Sequence, residues 1–225
     1  MRRTPTFCGA HFVPPEYEGR ADEYVESVCE EQLPACAALA EWCDVFCDEG
    51  AFTVAQARRV LEAARERGLG LRLHAEELAH TGAAAMGAEL GCASADHLIL
   101  ATEVDMAALR AAGTVAVLLP GTSYTLHAGY APARAFLDAG VTVALASDFN
   151  PGSSYCENMQ MVISLACQEL RLTPDEALWA ATAGGAAALR LGGRVGVLAP
   201  GAACDLVVLD AATRAELPYH YGVNL

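Results

Sequence analysis

Gly70-Leu71-Arg72-Leu73-His74-Ala75-Glu76-Glu77 is the stretch on which the fold turns. Its first six residues form a short apolar run of strand type, and a histidine followed by two acids closes it. The segment before it is a helix with legible ends. Thr53 and Gln56 make a capping box, Val54, Val60, Leu61 and Ala64 share an apolar stripe, and Gly68 stops the helix just ahead of the strand. Helix, then strand, then polar residues at the strand's carboxyl end is the repeating unit of parallel α/β folds, whose chemistry sits at those carboxyl ends.

Working outward, the same unit recurs. Short runs rich in Val, Leu and Ile predict strands over 6–12, 44–47, 97–101, 114–120 and 141–148, six with the run at 70–75. Helices are expected over 21–40, with Pro34 breaking or kinking it, and over 103–112, 132–139, 155–170 and 174–189. The last opens on Thr173-Pro174-Asp175-Glu176, a capping box with proline at the first helical position. After it the pattern changes. Val195-Gly196-Val197-Leu198, a Pro200-Gly201 turn and Asp205-Leu206-Val207-Val208-Leu209 read as strand, turn, strand.

Two architectures fit six such units: an open parallel sheet, or a TIM-like (β/α) barrel two strands short of eight. Polar residues repeated at strand ends favour the barrel. The expectation is therefore an α/β protein in which residues 6–190 form an incomplete TIM-like (β/α) barrel, missing its first two strands. Residues 191–225 would form part of a small appended β domain.

The 225 residues are 54% apolar, ample for a buried core, and 28 acidic against 14 basic residues leave a net charge of −14. Without a basic cluster, nucleic acid and anionic membrane surfaces are excluded as partners. The start, Met1-Arg2-Arg3-Thr4-Pro5, lacks the apolar run of a signal peptide, and a cytoplasmic location is expected. Nine cysteines include no Cys-x-x-Cys pair, so they read as reduced apolar residues.

The polar strand ends are His11; His74 with Glu76 and Glu77; Asp96 and His97; Thr122 and Ser123; and Asp148. Histidines and a carboxylate spread over separate strand ends can converge on one metal, which no single member could announce. A bound divalent ion would bring the pKa of water from about 16 to about 7, and a carboxylate beside it would take the proton. In this reading His74 and Asp148 are metal ligands and Asp148 also handles the proton. Glu77 meets a ring N–H or relays a proton to the leaving nitrogen, and His97 polarises the developing oxyanion. Asn150-Pro151-Gly152-Ser153-Ser154, placed before a helix expected from Tyr155, offers backbone N–H groups to a carboxylate, or is simply a capping turn. His80, His127 and His220 read as structural or surface histidines.

Taken together, Gly9-Ala10-His11 with Val13-Pro14-Pro15-Glu16-Tyr17, Leu73-His74-Ala75-Glu76-Glu77, Ala95-Asp96-His97-Leu98, Leu119-Pro120-Gly121-Thr122 and Asp148-Phe149-Asn150-Pro151-Gly152-Ser153 resemble the imidazolonepropionase family of the amidohydrolase superfamily. The resemblance implies hydrolysis of the ring amide C–N bond of 4-imidazolone-5-propanoate to N-formimidoyl-L-glutamate, in L-histidine degradation. It implies zinc or iron, one divalent or trivalent ion per chain, on His74 and Asp148, with Glu77, His97 and Asp148 catalytic. It implies His11, Glu77, Asn150, Gly152 and Ser153 as substrate contacts, a small-molecule substrate bearing a carboxylate, and a homodimer. Members of that family carry a His-x-His pair that this sequence lacks. A related deaminase or deiminase, or a non-catalytic remnant, are the competing expectations.

Overall fold

The computed structural model describes residues 3–225, and Met1 and Arg2 lie outside it. The chain divides into two compact units, one ending at Thr114 and one spanning Val115–Leu225.

The first unit holds four strands, β1 (Thr6–Ala10), β2 (Trp42–Cys47), β3 (Gly70–Ala75) and β4 (Ser94–His97), paired in parallel in chain order. The register sets Phe46 beside His74 and His74 beside Asp96. Because side chains alternate along a strand, β3 sends Leu71, Leu73 and Ala75 into the core and turns Arg72 and His74 to the opposite face. On the core side the Leu73 methyls fill the space left by Gly87, where a Cβ would lie 2.5 Å from Leu73 Cδ2. Gly87 belongs to α4 (Ala83–Leu90). Leu33, Phe52, Leu61 and Leu73 are fully or almost fully buried, each contributing about 1.5–3 kcal/mol by its removal from water.

The helices follow the capping signals. α3 (Val54–Glu66) starts at the expected box, with Gln56 N–H donating to Thr53 Oγ1 at 3.3 Å and Thr53 N–H to Gln56 Oε1 at 3.0 Å. α5 (Glu103–Ala112) matches its expected span. The first expected helix is split: α1 (Ala21–Ser27) passes through a π-type turn, Val28–Gln32, into α2 (Leu33–Cys36). Pro34 thus sits in the first turn of α2, where its missing N–H leaves no intrahelical bond unmade.

One strand differs from its expected place. The apolar run at 97–101 is not the strand; Ser94–His97 is. His97 and Leu98 take left-handed φ values of 72° and 58°, which ends the ladder and drops Leu98 into the core.

In the second unit β5 (Val115–Leu118) and β6 (Val143–Leu145) pair in parallel, shorter than expected. With them are α6 (Pro120–Leu126), α7 (Ala133–Asp138), α8 (Met159–Gln168), α9 (Pro174–Trp179), α10 (Gly185–Ala188) and α11 (Glu216–Tyr219). α8 begins four residues later than expected, because the Asn158 side chain caps it by accepting from Gln160 and Met161 N–H. Between α9 and α10 a π-type turn, Ala180–Gly184, brings Gly184 so near β6 that a Cβ there would lie 2.3 Å from the Val143 carbonyl oxygen. Of the strand, turn and strand expected over 194–210 only the turn is formed, with Ala202 N–H donating to the Ala199 carbonyl at 3.1 Å across Pro200-Gly201; residues 204–209 have no ladder, and Val207 and Val208 are 83% and 92% exposed. Apolar alternation marks strand tendency, but a strand exists only beside a partner that takes its hydrogen bonds.

Parallel strands joined by helices make this the α/β fold of a partial (β/α) barrel.

Candidate active site

In the first unit the expected residues gather at the carboxyl ends of β1, β3 and β4. His11 follows β1, His74 is the penultimate residue of β3, and His97 closes β4. Their rings form a chain, with centroids 5.7 Å apart for His11 and His74 and 5.3 Å for His74 and His97. The Phe46 ring packs against both His11 and His74. Glu77, three residues beyond His74, brings Oε1 to 3.5 Å from His97 Nδ1. Burial, reinforced by the adjacent His74, pushes the His97 imidazole down from 6.5 to about 3, so the ring is neutral across the physiological range.

Two carboxylates in this unit, neither expected as a ligand from the sequence, stand beside His74. Asp44, mid-strand in β2, places Oδ1 2.9 Å from His74 Nδ1 and fixes the imidazole plane. Asp96 neighbours His74 on β4; burial, then the Asp44 charge, push its carboxyl up, and its Oδ1 is buried with no hydrogen-bond partner. Ligand atoms of Asp44, His74 and Asp96 all lie within 4.8 Å of one another. Carboxylates on the two strands that flank β3, one with an orphaned oxygen, and the His74 imidazole between them suit a divalent cation of the zinc and iron type. Arg72 relieves part of the same negative charge while its guanidinium lies over the Trp42 ring, 4.3 Å from the centroid. The signal that could have revealed Asp44 was a lone acid inside an otherwise apolar strand.

A second cluster in the unit, Glu76, His80 and Asp105, braces the backbone. Glu76 accepts from Thr81 and Ala84 N–H, and Asp105 takes Thr102 N–H and hydroxyl together with His80 Nε2. His80 is thus the structural histidine it was read to be.

In the second unit the expected residues form a turn. Asp148 sits at φ 51°, and its Oδ2 accepts the hydroxyl of the buried Thr122 at 2.5 Å. The Asn150 side-chain amide donates to the Asp148 carbonyl at 2.8 Å, and its Oδ1 accepts the Gly152 and Ser153 N–H groups, each at 2.8 Å. The Asn158-capped start of α8 lies several residues further on, which removes the helix terminus once expected to support a carboxylate here.

Four of the seven non-glycine residues in the left-handed region, Glu76, His97, Leu98 and Asp148, fall at these ends; His127, Arg171 and Arg190 lie elsewhere. Each costs about 1 kcal/mol or more of backbone strain, a cost that concentrates where geometry is dictated by chemistry.

A partial parallel β/α barrel with imidazole and carboxylate groups at its strand ends is the framework of metal-dependent hydrolases, and the amidohydrolase family model matches residues 44–221. The chain belongs to the amidohydrolase family. Within it, the chain is 52% identical to the imidazolonepropionase of Salinispora arenicola (strain CNS-205) over 222 residues, covering 98% of this chain and 56% of that protein. To the imidazolonepropionase of Alkaliphilus metalliredigens (strain QYMF) it is 48% identical over 223 residues, covering 98% and 53%. The chain therefore spans about half the length of the curated relatives it matches. Among solved structures it resembles an adenosine deaminase from Xanthomonas campestris with bound zinc, at TM-score 0.72 and 23% identity over 95% of this chain and 56% of that one. It also resembles a triazine hydrolase variant, at TM-score 0.65 and 19% identity over 88% and 51%. At those identities the likeness is one of fold.

Proposed function

We propose that this chain carries the chemistry of an imidazolonepropionase: metal-assisted hydrolysis of the cyclic amide C–N bond of 4-imidazolone-5-propanoate to N-formimidoyl-L-glutamate, in L-histidine degradation. The observation that supports it most is the convergence of His11, His74, Glu77 and His97 at three strand ends, in a chain about half identical to proteins of that name.

His74 is proposed as a metal ligand through Nε2, since Asp44 holds Nδ1. Asp148 is proposed as the second ligand from the sequence. The ion, zinc or iron, would supply a water acidic enough to attack at neutral pH. The chain's own groups do the rest. Asp148 receives the proton of the attacking water. Glu77 relays a proton to the leaving ring nitrogen, with His97 Nδ1 as the group its carboxyl faces. A neutral His97 with its proton on Nε2 then donates to the carbonyl oxygen as charge develops there, which an imidazolium could do only by giving up burial. His11, Asn150, Gly152 and Ser153 are proposed to hold the substrate, the last three its carboxylate. A cytoplasmic location and a homodimer accord with this reading; among the described residues no helix is long and apolar enough to cross a membrane.

The test is incubation of the zinc- or iron-loaded protein with imidazolonepropionate. Formation of formimidoylglutamate, slowed about a hundredfold but still measurable in Glu77→Gln, supports the reading; a metal-loaded protein that leaves the substrate unchanged removes it.

A further inference from the structure

The residue just beyond β2, Asp48, is only 4% exposed, and its partners are all main-chain. Oδ2 accepts the N–H groups of Glu77 at 2.7 Å and Leu78 at 3.0 Å; Oδ1 accepts those of Ala79 at 2.9 Å and of its own neighbour Glu49 at 2.7 Å. The first three donors are consecutive, and they begin at the residue proposed to protonate the leaving nitrogen. The β3 ladder has ended at Ala75, so no strand is there to hold this segment. Backbone N–H groups converging on one buried carboxylate replace the missing ladder with charge-assisted bonds, about twice as strong as neutral ones.

We propose that Asp48 is a positioning residue: it fixes the backbone from Glu77 to Ala79 and thereby sets the Glu77 carboxyl against the His97 ring. The catalytic half of this inference rests on the proposed function; the conformational half does not. A carboxylate is required because both oxygens work as acceptors. Asparagine has the same shape but would turn an NH2 toward two N–H groups, leaving one pair of donors facing a donor. The structure supplies an internal control, since the next part of the same loop is held separately. Thr81 and Ala84 N–H groups donate to Glu76 at 2.7 and 3.0 Å, and no bond from Asp48 reaches them.

The experiment is amide hydrogen exchange by NMR on this chain and its Asp48→Asn and Asp48→Ala variants. Exchange at residues 77–79 is expected to quicken by about tenfold or more in Asp48→Asn, while Thr81 and Ala84 keep their protection. Should Asp48→Ala not fold, the isosteric Asp48→Asn carries the test alone. The second arm is kinetic. Asp48→Asn should lower kcat on imidazolonepropionate by about tenfold with KM within about twofold, and add little further loss in a Glu77→Gln background, because both act through one carboxyl. Unchanged exchange at 77–79, or equal loss at 77–84, overturns the clamp. Fully additive losses in the double variant overturn its action through Glu77. A parent protein inert toward the substrate removes the proposed function and leaves the clamp to be judged by exchange.

Discussion

The Asp44 carboxylate and the His74 imidazole illustrate how a strand neighbour completes a ligand. A ring engaged at Nδ1 is held in one plane and one tautomer, which makes its other nitrogen a better donor to a metal. Asp44→Asn preserves the shape and removes the charge. It is expected to weaken zinc binding about 10–100-fold, by metal titration, with little change in the circular dichroism spectrum. Equal affinity in the variant would assign Asp44 to scaffolding alone. At this scale the sequence was partly legible. His74, His97 and His11 announced themselves by standing at the ends of apolar runs, and the structure brings them together. Asp44 and Asp48 did not, because their role is defined by the adjacent strand and loop they touch, some thirty residues away in sequence. Thr122 was visible as a strand-end hydroxyl, but its bond to Asp148 was not.

At the scale of elements, two features of the second unit lend themselves to measurement. Glu176 closes the capping box of α9 and receives Arg134 at 3.0 and 2.7 Å. The Arg134 hydrogen bonds, aided by Thr173, hold its carboxyl down from 4.5 to about 2. Since the folded value lies below the unfolded one, the stabilisation is complete above pH 4.5 and is lost as pH falls toward 2. Glu176→Gln should lower the urea midpoint at pH 6 and flatten its decline between pH 4.5 and 2; a decline as steep as the parent's would show that other carboxylates govern it. The second feature is Gly184. A methyl there meets the backbone of β6, which cannot rotate away, so Gly184→Ala should destabilise the chain by about 2 kcal/mol. An unchanged unfolding midpoint would mean that the π-type turn can shift. The elements themselves were legible wherever apolar period and caps agreed, as in α3, α5 and β3. β4 was misplaced because its residues are mostly polar, Ser-Ala-Asp-His, while of the apolar Leu98-Ile99-Leu100 beside it only Leu98 is buried and Leu100 is exposed. The helix over 21–40 was expected to break or kink at Pro34 and the one over 174–189 to run through; each is interrupted by a π-type turn, the first ending two residues before Pro34.

For the whole molecule, an acidic chain with a cluster of donors in its first unit should be stabilised by the cation it takes. Zinc at about a hundredfold excess over its dissociation constant adds about 2.7 kcal/mol to folding, seen as a raised melting midpoint that chelation reverses. A midpoint insensitive to zinc, iron and chelator would count against the metal site. Fold class was readable at this scale because parallel β/α units repeat. The strands read over residues 195–209 did not follow, since no ladder forms there.

The left-handed backbone at His97 bears on how this protein would respond to selection. Asparagine visits the left-handed region with little strain and leaves a smaller void than glycine would at this buried position, so a library screened for survival of heating should enrich His97→Asn. The hardier variants would lack the imidazole that faces Glu77. Breeding for durability would erode turnover at that position, and a host that needs the reaction would keep the less robust protein.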